Sequence, residues 1–223
     1  MNYAAVVDSP AQLVALSLAA DPEAWSRAGF TVAGGEVRLG SARVRLAGAD
    51  AGRGAVGWDL AGPLAGDLDG LPLPGVAAPS PGPAAVHLNG IATVDHVVAF
   101  TSNLDRSVAA VQRAGLQLRR RRNGPTGGGS ARQAFFWLGD VILELVEHPP
   151  QAREAGDPDA PARLWGLALV APDLDATAEA VGDDLLGQPR DAIQPGRRIA
   201  TFSRAAALGV AVAVMSPHPQ SRA

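Results

Sequence analysis

The sequence predicts an α+β protein made of tandem β-α-β-β-β units, preceded by a degenerate copy of the same unit. Three observations predict it. Between Thr93 and Glu147 the apolar period is two, then about 3.6, then two again. The same order of elements begins again at Leu164. A worn, incomplete echo occupies the first 70 residues.

In the first copy, Thr93–Thr101 alternates and is β-branched, which predicts a strand. Leu104–Ala114 carries Val108, Val111 and Ala114 at helical spacing and stops at Gly115. Leu116–Arg122 reads as a strand and "NGPTGGGS" as a mobile loop, a candidate lid. Arg132–Leu138 and Val141–Glu147 are two further strands joined by the tight turn Gly139-Asp140. In the second copy "DLDATAEAV" overlays "NLDRSVAAV", Asp173 on Asn103, with Leu, Asp, Ala and Val in common. Leu185–Ile193, Arg198–Ser203 and Val210–Met215 are its expected later strands.

In the N-terminal half, "QLVALSLAADPEAWSRAGFTV" follows the start of the first copy, and "RAG" closes both helices. "LGSARVRL" matches "LGDVILEL" in position, and "GAVGWDLAG" resembles the opening of the second copy. Leu71–Ala85 is rich in proline and glycine and sustains neither helix nor central strand, so it reads as an extended connector. The expected organisation is a degenerate half over 1–70, a Pro-rich linker over 71–90, and a domain over 91–217 containing units 91–149 and 162–217.

Composition narrows the function classes. The chain has 223 residues, is 47% hydrophobic and carries a formal charge of -3, so nothing pulls it toward nucleic acid or an anionic membrane. It has no cysteine, which excludes disulfides, thiolate metal sites and a Cys nucleophile. No apolar run reaches membrane-spanning length, and the N-terminus lacks a basic leader, so a cytoplasmic protein is expected. There is no P-loop, HExxH, nucleophile elbow or dinucleotide fingerprint.

The repeated unit, with "DHVV" opening its first strand, "GDVILELVE" closing its last and "VHLNG" just ahead, resembles the vicinal oxygen chelate superfamily. That group includes glyoxalase I, extradiol dioxygenases, bleomycin-resistance proteins and methylmalonyl-CoA epimerase. The resemblance implies two units curling their sheets into a cup, a glyoxalase-like protein, and one divalent metal (Zn, Ni, Mn or Fe) at its floor. It implies a His or Gln ligand on each first strand and a Glu on each last strand. His96 and Glu144 match these positions in the first copy. Gly166 and Ala213 replace them in the second, and Gln12, Arg45 and Gly57 stand at the related N-terminal positions. The function implied is a metal-dependent enzyme on a small oxygenated metabolite, of lyase, isomerase or dioxygenase type. The alternative is a metal-free protein that sequesters a small molecule, as bleomycin-resistance members do. The implied partner is a small-molecule ligand, and a homodimer is compatible with the chain.

Alternation supports the same residues. Val94, His96, Val98 and Phe100 share one face of their strand, and Ile142, Glu144 and Val146 share another. A carboxylate among aliphatics needs a cation, a metal or a donor. Three readings of His96 with Glu144 stay open: a metal site, an acid–base pair, or a structural hydrogen bond. Asp95, Glu147, His148 and His87 lie nearby without a convincing spacing. Alternation turns Arg120 and Arg122 one way and Arg119 and Arg121 the other, so Arg120 and Arg122 are candidates to meet an anionic substrate. Phe136 and Trp165 are candidate aromatic walls. Gly166 is read as leaving room for a bulky ligand.

Overall fold

A computed structural model describes residues 11–72, 85–126, 129–147, 157 and 159–219. Two mixed sheets carry the fold. The first contains β1 (Gln12–Leu18), β2 (Glu36–Leu39), β3 (Ala42–Leu46) and β4 (Ala55–Ala61), in the order β2-β3-β1-β4, with α1 (Pro22–Arg27) after β1. The second contains β5 (Thr93–Phe100), β6 (Leu118–Thr126), β7 (Gly129–Leu138), β8 (Val141–Glu147), β9 (Arg163–Val170), β10 (Arg190–Asp191), β11 (Arg198–Thr201) and β12 (Ala211–Met215). Its order is β10-β11-β12-β9-β5-β8-β7-β6, with α2 (Leu104–Arg113) and α3 (Leu174–Val181) following the first strand of each unit.

The internal symmetry appears in the pairing. β5 runs parallel to β8 and antiparallel to β9, and β9 runs parallel to β12. β1 likewise runs parallel to β3 and antiparallel to β4. The N-terminal unit thus keeps its first, third and fourth strands plus the first strand of a following unit. The helices begin alike because the overlaid "N/D-L-D" segments are N-caps: Asn103 accepts the amide of Arg106 at 3.0 Å and Asp173 that of Ala176 at 3.0 Å. Helix α2 ends where Gly115 takes a φ of +110°, a conformation that costs a side-chain-bearing residue most.

One apolar core joins the two sheets. Leu16, Trp25, Val44 and Trp58 from the N-terminal half pack in the same cluster as Val97, Leu143, Leu169 and Val214. Trp25 is fully buried and its indole N–H donates to the carbonyl of Leu208. The "VHLNG" segment is a joint as well. His87 accepts the Thr31 amide at Nδ1, so Nε2 carries the hydrogen donated to the carbonyl of Arg38 at 2.8 Å. Asn89 donates to Ala28, and Thr177 donates to the carbonyl of Asn89. His87 is therefore committed to structure. Asp69 similarly ties the end of the N-terminal half to Arg106 and Ser107 of α2.

Two sequence expectations change. "NGPTGGGS" is mostly paired strand: Asn123 opposes Arg132 and Thr126 opposes Gly129, so β6 and β7 form one long hairpin. Leu185–Ile193 yields only the two-residue β10, with Leu186 in an isolated bridge to Phe202. Most of the Pro-rich connector, and His148, lie outside the described residues. Among the described residues no helix is long and apolar enough to cross a membrane.

Candidate functional site

A hollow of about 220 Å³ opens on the face of the large sheet opposite the helices. Its walls include Asp95, His96, Arg119, Arg120, Phe135 and Glu144, with Gln194, Arg197 and His218 arriving from the far side. Two breaks in strand register build it. Alternation would put Asp95 and His96 on opposite faces of β5. The pairing of β5 with β9 slips between Val94 and His96, making Asp95 an extra residue that lines the hollow beside His96. A second slip between Leu118 and Arg120 makes Arg119 an extra residue of β6, and both arginines line the hollow. A third adds Trp165 to β9, between the partners of Val98 and Ala99.

The charged groups form a connected chain. Arg197, whose side chain is 1% exposed, donates from Nη2 to Asp95 Oδ1 at 2.8 Å and from Nε to the carbonyl of Ser216 at 2.9 Å. Asp95 Oδ2 accepts from His96 Nδ1 at 2.7 Å. His96 Nε2 lies 3.5 Å from Glu144 Oε2, and the amide of Gln133 donates to the other Glu144 oxygen. Gln133 Oε1 is buried without a partner.

This arrangement shifts three ionisations. Burial pulls the His96 pKa down, but the hydrogen bond to Asp95 and the charges of Glu144 and Asp95 outweigh it, so the pKa is raised. Burial pushes Asp95 up, yet His96 and Arg197 hold its carboxyl far below the usual range. Desolvation and the Arg197 charge lower the pKa of His218, whose Nε2 accepts from Arg197 Nη1 at 3.1 Å. Asp95 fixes the His96 hydrogen on Nδ1 in the neutral ring. Nε2 is then the atom that gains or releases a proton, and it faces Glu144.

Of the residues singled out from the sequence, His96, Glu144 and Arg120 meet in the hollow. Arg122 does not: it donates to the carbonyl of Pro125, three pairs further along the hairpin. Phe136 is fully buried in the apolar core. Its neighbour Phe135, opposite both Arg120 and Glu144, lines the hollow instead. Trp165 stacks on Phe100 with ring centroids 4.6 Å apart. Phe100 is four residues along β5 from His96, roughly 13 Å at strand rise. Arg45 forms ion pairs with Glu36 and Asp59 of the small sheet. Glu147 accepts the amide of Leu104 and pairs with Arg132. Asp95, Arg119, Phe135 and Arg197 were not selected from the sequence.

No family model matches the chain, and no curated protein is significantly similar to it. Solved structures do match. A triple mutant of 4-hydroxymandelate synthase from Streptomyces coelicolor superposes with a TM-score of 0.62 at 12% identity, over 95% of this chain and 94% of that one. The chain has the vicinal oxygen chelate fold. Methylmalonyl-CoA epimerase from Mycobacterium tuberculosis matches with a TM-score of 0.47 at 19% identity, over 59% of this chain and 91% of that one.

Within the vicinal oxygen chelate fold the register identifies the positions related by the internal two-fold. His96 opposes Ala168 and Val98 opposes Gly166, which relates His96 to Gly166. Val98 also opposes Glu144, and Ala168 opposes Ala213, which relates Glu144 to Ala213. At these two positions the second unit therefore supplies no side-chain ligand. Among the described residues no three His, Asp or Glu side chains gather around a common point. Asp95 is already shared between His96 and Arg197, and the Arg197 cation is fixed in the wall. These donors do not fit the implied divalent metal.

Nor does Gly166 make room for a ligand. A Cβ there would sit 2.5 Å from the backbone oxygen of Ala211, so the neighbouring strand already fills that space. Gly166→Ala should cost about 1–3 kcal/mol in urea denaturation, because a strand backbone rather than a flexible side chain must move. An unchanged midpoint would contradict this packing.

Proposed function

We propose that the hollow binds a small oxygenated metabolite and that His96 and Glu144 move a proton on it without a metal ion. The observation that carries this reading is the His96 imidazole held between two carboxylates, with Nε2 turned toward Glu144 in an accessible cavity. Each neighbour has a part. Asp95 fixes the ring hydrogen and supports the imidazolium, Arg197 fixes Asp95, and Gln133 holds Glu144. The vicinal oxygen chelate fold supports a pocket on this face and says nothing of the reaction.

The test is proton exchange. Chelator-treated protein would be incubated in D2O with small 2-oxo, 2-hydroxy and dicarboxylic acids, and loss of C–H signal followed by NMR. The expected result is exchange on at least one compound, unchanged by added Mn(II), Ni(II) or Zn(II), with no stoichiometric metal in the untreated protein. Exchange that requires a metal overturns the reading. Binding without exchange would leave the sequestering alternative.

A further inference from the structure

We infer that the carbon on which the His96–Glu144 pair acts carries a small apolar substituent, and that Ile142 is the residue that selects it. The inference rests on the proton-transfer reading of this hollow and extends it by naming the ligand's class. Strand register places the groups. Across β5 and β8, His96 stands beside Ile142 and Val98 beside Glu144. The acid–base pair therefore occupies one diagonal of this patch, with Nε2 3.5 Å from Oε2, and two aliphatic side chains occupy the other. Val98 is buried in a small apolar cluster with Ala131 and Val146. Ile142 is half-buried and lines the hollow. On the next strand Phe135 stands beside Glu144 and lines the hollow as well.

A proton passes between this pair and a carbon only where the carbon lies within reach of the diagonal. Groups attached to such a carbon come to lie over Ile142, with Phe135 on the far side of Glu144. Water against an aliphatic side chain is poorly held, and an apolar substituent that displaces it gains the burial of both surfaces. The cavity limits the size of that substituent. At about 220 Å³ it is smaller than the pockets of roughly 300–1,000 Å³ that enclose drug-sized ligands. The ligand class is thus a carbon acid with a polar head and a short alkyl group on the carbon that exchanges its hydrogen.

A homologous series tests the inference: 2-oxopropanoate, 2-oxobutanoate and 2-oxopentanoate share one head and differ in the alkyl group on the exchanging carbon. Each would be titrated into the full chain carrying labelled isoleucine methyls, with affinity and the Ile142 methyl shift read by NMR. Affinity should rise about fourfold with each added methylene, and the Ile142 methyl should move. In Ile142→Asn the gain should fall below about twofold, because the alkyl group then meets an amide. If that variant fails to fold by thermal melting, Ile142→Thr replaces it, and a gain smaller than that of the wild type is still expected. Val56→Ala, at an exposed aliphatic of the small sheet, should leave the series unchanged. No binding by any member, affinity independent of chain length, an Ile142 methyl that does not move, or a full gain retained in the folded Ile142 variant overturns the inference. Length-dependent binding without proton exchange removes the proposed function and leaves the apolar subsite standing. Exchange on 2-oxopropanoate with no gain from longer chains does the reverse.

Discussion

Glu144→Gln should lower proton exchange by ~10²–10⁴-fold while ligand affinity changes only a few-fold. The substitution keeps the size of the side chain and its neighbourhood beside Gln133, but removes the acceptor facing His96 Nε2. It also removes one of the charges that raise the His96 pKa, so the ring should titrate at lower pH in the variant. The NMR exchange rate and the His96 ring shifts, both followed against pH, check these outcomes. Exchange at the wild-type rate would remove Glu144 from the chemistry. A parallel loss of affinity and rate would assign it to binding instead.

Arg197→Met should destabilise the fold by about 3–5 kcal/mol. The Asp95 carboxylate is 7% exposed, and loss of Arg197 leaves it with His96 as its remaining strong partner. The variant also loses the bonds that hold Ser216 and His218 against the wall. Urea denaturation measures the cost. Arg197→Met with Asp95→Asn should recover a large part of it, because no unpaired buried charge then remains. A loss below about 1 kcal/mol in the single variant would show that Asp95 finds other solvation.

The same pair sets the pH response. The Asp95 pKa is lowered in the fold, so its contribution is present above the ordinary carboxylate range and disappears as pH falls through the lowered value. The His96 pKa is raised, so its contribution is full below the ordinary imidazole value and disappears as pH rises through the raised one. Stability should peak between these limits. Removing Arg197 takes away one of the interactions that lower Asp95, so the acid limb of unfolding should move to higher pH. Urea midpoints measured across about pH 2 to 9 decide it.

The repeated unit was legible because local chemistry wrote it twice. The Asn103 and Asp173 caps, the apolar spacing of α2 and the alternation of β5 and β8 all depend on near neighbours in the chain. His96 and Glu144 were legible for the same reason, since each points along its strand as the alternation requires. Arg122 was misplaced by the same rule, because a strict period of two ignores the hairpin end at which its side chain folds back. Phe136 and Phe135 are adjacent aromatics, and composition cannot say which face is core. The packing of β7 against α2 decides it, burying Phe136 and leaving Phe135 beside Arg120.

The sequence alone determined the α+β class, the tandem units, the worn N-terminal copy and the His–Glu pair, because period, capping and strand alternation act over a few residues. Only the tertiary structure decided the rest of the site. Bulges at Asp95 and Arg119 exist because two strands of unequal local length must pair, and Arg197 reaches Asp95 from 102 residues further along the chain. Such registers and distant ion pairs are properties of elements in contact, and no single segment carries them.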